Sequence, residues 1–182
     1  MIFRTNAALI GKAVFLTLNG VKVKCQVDTY EFEKQLKSVD ALYKGDMKNV
    51  KDETVVLYST WEDFIENIKE HQEFKRMVNI VQSNKVKMYL DALVKMRDNK
   101  SKYDVLLITA HKSKGMEWDT VVIADDFPMQ NILLPKGEKG YLQQEVNLFY
   151  VACTRAIKGI RLPEDFYQAY LAHRESLDSS NN

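Results

Sequence analysis

Two uninterrupted apolar runs, Val105-Leu106-Leu107-Ile108 and Val121-Val122-Ile123-Ala124, constrain this chain more than any other feature. A strand with one solvated face alternates polar and apolar residues, whereas a strand covered by helices on both faces stays apolar throughout. The polar stretch from His111 to Asp119 joins the two runs, and helical text follows. Leu142, Val146, Phe149, Tyr150 and Cys153 recur with helical period, and Gly159-Ile160-Arg161-Leu162 suits a short strand. Pro163-Glu164-Asp165 is a favourable helix start, with Phe166, Tyr170 and Leu177 along one face. Strands alternating with helices indicate an α/β class with a parallel sheet flanked by helices.

The first residues fit the same class. Met1–Arg4 begins as a strand would, and Thr5 or Asn6 can cap a helix that Leu9, Ile10, Ala13 and Val14 continue and Asn19-Gly20 stops. Val21, Val23, Cys25 and Val27 alternate as a half-buried strand does. Beyond Asp28 the text becomes mainly helical: Phe32, Leu36, Val39 and Leu42 or Tyr43 suit one helix. Ser59-Thr60-Trp61-Glu62-Asp63 offers a capping box before another with Phe64, Ile65, Ile68 and His71 on one side, and more helical text runs from Phe74 to Met96. The expected organisation is therefore one α/β unit in two parts, 1–27 and 103–177, with a short helical insertion at 28–102 and a frayed tail at 178–182.

Composition sets limits on function. The chain has 182 residues, 46% hydrophobic and 28% charged, an ordinary globular balance. A formal net charge of +1 gives no global cationic field, so any nucleic-acid surface must be local. One such place is the interval 69–102, where Lys75, Arg76, Lys85, Lys87, Lys95, Arg97, Lys100 and Lys102 outweigh Glu70, Glu73, Asp91 and Asp98. It reads as a solvated helix face or as a phosphate-facing surface. Cys25 and Cys153 match no metal or disulfide spacing, and no metal-ligand set is expected. No apolar stretch approaches the roughly 18 residues of a membrane span, and no signal peptide precedes the first motif. A soluble intracellular chain is the expectation.

Chemistry concentrates in two segments. Ile108 through Asp119 lies at the carboxyl end of a buried strand, where open α/β sheets place ligands. Thr109, His111, Ser113 and Lys114 supply donors for phosphate oxygens, and Gly115 lets backbone approach a ligand. Glu117 can accept from a ribose hydroxyl, and Trp118 can pack beneath the loop or stack on a base. Gln144 through Ala156 is a helix with one apolar face and Arg155 at its far end among small residues. That arginine reads either as a planar contact to an anion or as half of a structural salt bridge.

These residues resemble a known family. The His111–Trp118 loop is similar to motif V of superfamily 1 DNA helicases of the UvrD/Rep/PcrA type. Tyr150-Val151-Ala152-Cys153-Thr154-Arg155-Ala156 matches the core of their motif VI, and Phe3-Arg4-Thr5-Asn6-Ala7 resembles the segment that opens their second RecA-like domain. Ala124-Asp125-Asp126-Phe127 also resembles F-box DNA helicase-like members. The resemblance implies a RecA-like fold and roles position by position. Arg155 would reach the γ-phosphate of ATP, Glu117 the nucleotide sugar, and Gly115 would lie in the ATP-facing loop. Asn6, Thr109 and His111 would face single-stranded DNA. Lys114, Trp118, Glu145, Tyr150 and Thr154 would support them. Met116 stands where leucine is usual and Ile157 where a basic residue is common, and the insertion is much shorter than the family's.

The sequence contains no G-x-x-x-x-G-K-[ST], so nothing in it cradles β- and γ-phosphates or places a magnesium ligand. Val121–Asp126 imitates a Walker B strand, but without that loop Asp125 and Asp126 read as loop caps or contacts to another domain. ATP and Mg²⁺ would then be held mainly by an N-terminal P-loop motor domain of the same protein, with this chain an excised or truncated second half, inactive alone. Two rival readings are a stand-alone nucleic-acid-binding or regulatory module with this fold, and a metal-dependent nuclease built on Glu117, Asp119 and Asp125.

Overall fold

The computed structural model describes residues 1–69, 71–98, 102–128, 143–168 and 170–171. Glu70, Lys100, Leu142, Leu177 and the expected tail at 178–182 lie outside them. In chain order the elements are β1 (Ile2–Phe3), α1 (Asn6–Leu18), β2 (Val23–Cys25), α2 (Thr29–Tyr43), α3 (Trp61–Asn67), α4 (Gln72–Gln82), α5 (Val86–Asp98), β3 (Val105–Thr109), β4 (Trp118–Val122), α6 (Gln143–Cys153) and β5 (Ala156–Arg161). Short 3₁₀ turns occupy Met47–Asn49 and Val55–Leu57, and 164–168 is helical again. The chain divides into two compact units, one of Met1–Leu9 with everything from Leu106 onward, the other Ile10–Val105.

The first unit carries the parallel sheet. β1 pairs in parallel with β3, Ile2 opposite Ile108 and Phe3 opposite Thr109. On its other side Ile2 bridges Ile123 in parallel, and the Ala124 amide donates to Ile2 O at 2.8 Å. β4 runs parallel to β5 from Trp118 opposite Ala156 to Val122 opposite Arg161. Ile2, Ile108, Ala110, Val121, Ile123, Phe127, Phe149 and Ala152 form its core, with Trp118, Leu148 and Phe166 packed against it. Phe149 stands edge-on to Phe127, ring centroids 5.3 Å apart.

Strand limits differ from the apolar runs. β4 starts at Trp118 rather than Val121, and β5 at Ala156 rather than Gly159. Asp119 and Thr120 in β4 are exposed and polar, so backbone pairing with β5 holds them, and hydropathy carries no trace of that pairing. Tyr150, grouped with the apolar face by its spacing, is 67% exposed; Phe149 and Ala152 form the buried stripe of α6.

The second unit is mainly helical. The Asp28 side chain caps α2 by accepting from the Tyr30 and Glu31 amides, and Phe32, Leu36, Val39 and Leu42 are buried as their spacing requires. Thr60 caps α3, its Oγ1 accepting from the Asp63 amide at 3.2 Å. Phe64 is fully buried, edge-on to Tyr58 and Phe74. Asn84, at φ +54°, splits the helical text after Phe74 into α4 and α5. Cys25 is half-buried with Sγ 3.9 Å from Met96 Sδ, and burial pushes its thiol pKa up to about 12. Such a thiol is a poor nucleophile. Among the described residues no helix is long and apolar enough to cross a membrane.

Candidate functional site

The register of the sheet gathers three chain segments at one edge. Arg4 leaves the carboxyl end of β1, Ala110 and His111 leave β3 beside it, and Asp126 follows the end of β4 on the other side of β1. Parallel strands paired in this register must release their following loops together, which is why ligand sites form there.

Asp126 organises the group. Its Oδ1 accepts from the Arg4 amide at 2.9 Å, and its Oδ2 accepts from the Thr5 amide at 2.8 Å and the Thr5 hydroxyl at 2.9 Å. Thr5 Oγ1 in turn accepts from the Ala8 amide at 3.2 Å and caps α1. A carboxylate at a helix N-terminus is favoured by the free amides and their dipole. Asp126 is thus a loop cap, one of the two readings its Walker B-like position left open.

Arg4 then turns its side chain to α6. Its Nε donates to Glu145 Oε2 at 2.7 Å and its Nη2 to Glu145 Oε1 at 2.6 Å, a two-pronged pair that fixes both distance and plane. Those hydrogen bonds hold the Glu145 carboxyl below its ordinary range, and the nearby His111 adds to the effect. A carboxyl with a depressed folded-state pKa stabilises the fold above its unfolded value of about 4.3, and the gain is lost as pH falls through the lower folded value. Glu145→Gln is therefore expected to cost about 1–2 kcal/mol near neutral pH, with the difference from the parent vanishing in acid. Thermal melts of both chains from neutral pH to below the unfolded value check this; a gap that stays constant would show that the pair's charge is irrelevant.

The loop after β3 is locked by its own hydrogen bonds. The Ser113 amide donates to Thr109 O at 2.9 Å, Ser113 Oγ donates to Ala110 O at 2.8 Å, and the Met116 amide donates to Ser113 O at 3.0 Å. Ser113 is fully buried with its hydroxyl engaged, so it holds the turn rather than presenting a free phosphate donor, while Thr109 is 5% exposed and its carbonyl accepts from the Ser113 amide. His111, Lys114 and Glu117 are exposed, as is Asn6 at the start of α1. Gly115 adopts φ +82°, the left-handed conformation that lets the chain turn toward β4. Trp118 packs against the core, the first of the two placements its residue type allowed.

At the other end of α6 the two segments meet. The Trp118 amide donates to Arg155 O at 2.9 Å, which starts the pairing of β4 with β5. Arg155 sits in the turn just past α6. Its Nε donates to Val151 O at 2.9 Å, its Nη2 to Thr154 Oγ1 at 3.1 Å, and its Nη1 to Met116 O at 3.2 Å. Among the described residues no carboxylate pairs with it, so the salt-bridge alternative finds no partner there. Glu145 stands in the first turn of α6 and Arg155 just past its end, so α6, roughly 12 Å from Glu145 to Cys153 at 1.5 Å per residue, ties one cluster to the other.

Glu117, Asp119 and Asp125 do not come together: no metal-holding group of acids, histidines or cysteines occurs among the described residues, and Asp119 is paired with Lys158 at 2.7 Å. Sequence reasoning missed Arg4 as the partner of Glu145. Its only signal was its place in the Phe3–Ala7 resemblance.

A family model described as UvrD-like helicase C-terminal domain matches residues 20–162. F-box DNA helicase protein 1 of Schizosaccharomyces pombe is 31% identical over 126 residues, covering 62% of this chain and 14% of that protein. The chain therefore spans a small part of the length of that relative. With both polar segments and their joining helix inside the matched stretch, the chain belongs to the UvrD-like helicase C-terminal domain family.

Proposed function

We propose that this chain is the second motor domain of an ATP-dependent DNA helicase, supplying an arginine to the ATP cleft and part of the single-stranded DNA track. The observation that carries the reading is the meeting of Arg155 with the Met116 carbonyl, which joins the two polar segments at one point. A guanidinium held only by neutral oxygens keeps its charge available, and a phosphate offers it a stronger, planar-matched acceptor. In this reading ATP and Mg²⁺ are held mainly by a P-loop domain of the same protein. Closure of the two domains brings Arg155 onto the γ-phosphate, while Gly115 and Glu117 border the nucleotide. Thr154 supports the arginine through its hydroxyl, and Trp118 seats the loop against the core.

The opposite end of α6 would face DNA. His111 and Asn6 are exposed there, Lys114 adds a cation from the same loop, and Thr109 stands beside them at the end of β3. Glu145, bound to Arg4, anchors the helix at that end, so nucleotide-driven movement of Arg155 is transmitted along α6 to the DNA side. Tyr150, two-thirds exposed on the same helix, stands between them.

The isolated chain is expected to bind single-stranded DNA weakly, with a shallow salt dependence of about −0.7 in log–log slope per phosphate neutralised. Fluorescence anisotropy on a labelled oligonucleotide measures both, and a His111→Ala/Lys114→Ala double variant should weaken binding further. Unchanged affinity and slope in that variant would remove the loop from the DNA track.

A further inference from the structure

We propose that the helical unit carries a second single-stranded nucleic-acid contact, a groove along α2 with Tyr30 as its stacking platform. This goes beyond the motor reading and does not depend on it. The groove runs along α2 from Tyr30 past Lys34, Lys37 and Lys44 to Lys51, with Glu33, Asp40 and Asp46 in the same lining. Positions 30, 34, 37, 41 and 44 follow the helical repeat, so the face extends roughly 21 Å at 1.5 Å per residue.

Three observations point to this ligand. Tyr30 is 68% exposed and lines the groove, so its ring is accessible to a ligand. One ring face is nevertheless fixed, because the Arg97 guanidinium lies over it at 4.2 Å from the centroid. Arg97 is itself held by Glu33 and is largely buried. The ring is thus a prepared platform with its other side open, the geometry on which a base stacks. Beside it run the ammonium groups. Lys37 and Lys44 are paired with Glu33 and Asp40, but among the described residues Lys34 and Lys51 have no carboxylate within salt-bridge distance. A supported aromatic platform beside two unpaired ammonium groups matches one base and its flanking phosphates, while Asp46, which accepts from Asn49 Nδ2 at 2.5 Å, keeps the groove only weakly cationic. An acidic peptide would use the lysines but leave the ring idle.

The test uses the full chain and a fluorescein-labelled oligo(dT), with anisotropy recorded across a salt series. Tyr30→Ala is expected to weaken binding about 5- to 100-fold, the effect of losing one base–aromatic stack. Tyr30→Phe keeps the ring and should bind as the parent does. Lys34→Gln/Lys51→Gln should make the log–log salt slope shallower by about 1.4, two phosphate contacts. These positions are on the surface, and a thermal melt of each variant confirms an intact fold. Loss of binding in His111→Ala/Lys114→Ala with no change in the groove variants would overturn the groove and leave the motor loop standing. Poly-glutamate that displaces the oligonucleotide equally from the parent and from Tyr30→Ala would overturn it in favour of an acidic protein ligand. Unchanged binding in the loop variant, with losses in the groove variants, supports the groove and counts against the loop alone.

Discussion

On the proposed motor reading, Arg155→Ala in a helicase that carries this domain is expected to lower DNA-stimulated ATP turnover by on the order of 10³–10⁵-fold and to abolish unwinding, the scale of arginine contacts in phosphoryl transfer. The guanidinium is held by carbonyl and hydroxyl oxygens at the edge of the unit rather than by core contacts. Removing it should therefore leave the melting temperature within about 2 °C, a shift that corresponds to less than about 1 kcal/mol in a chain of this size. Arg155→Lys should fail almost as completely, because a point charge cannot hold Met116 O, Thr154 Oγ1 and a phosphate in one plane. Steady-state ATPase and thermal melts on the same preparations decide the matter. A variant with a clearly lower melting temperature but normal turnover per folded molecule would make Arg155 a structural residue.

Asp126→Ala is the second large effect, and it falls on stability instead. The substitution strips acceptors from the Arg4 amide, the Thr5 amide and the Thr5 hydroxyl at once. Half-buried donors left unpaired cost about 1–3 kcal/mol each, partly relieved here by water. A net loss of about 3 kcal/mol corresponds to a melting temperature roughly 6–12 °C lower. Asp126→Asn keeps one acceptor oxygen and should recover part of it. The Walker B-like position of Asp126 suggests the opposite outcome, a metal ligand whose loss stops turnover while the fold stays intact. Melting of the isolated chain separates the two, since a structural clamp lowers it with no metal present and a metal ligand does not.

What the sequence made legible was local. The two apolar runs announced strands because burial on both faces leaves a direct mark on hydropathy. The helix caps at Thr5 and Thr60 follow from side chains within three residues of the amides they bind. The loop from His111 to Trp118 and the segment from Tyr150 to Ala156 were recognisable because their residue types and spacing are rarely combined otherwise. Contacts between distant positions were not legible. Arg4 and Glu145 are separated by 141 positions, and nothing in either neighbourhood names the other. The same holds for the early start of β5, which rests on a hydrogen bond from Trp118 to Arg155 rather than on any apolar residue. Ser113 misled for a different reason: a serine in a polar loop reads as a ligand donor, but its hydroxyl closes the turn on Ala110. Tyr150 misled through spacing, since an aromatic residue one position from Phe149 need not share its face.

Calorimetric titration of ATP–Mg²⁺ into the isolated chain tests the proposed division of labour between a P-loop domain and this one. The chain has no loop to cradle the β- and γ-phosphates, and one arginine with a few exposed loop residues does not replace it. The expected result is no saturable heat in the micromolar range and no turnover in a parallel phosphate-release assay. Stoichiometric micromolar binding, or hydrolysis that disappears with Arg155→Ala in the isolated chain, would contradict it.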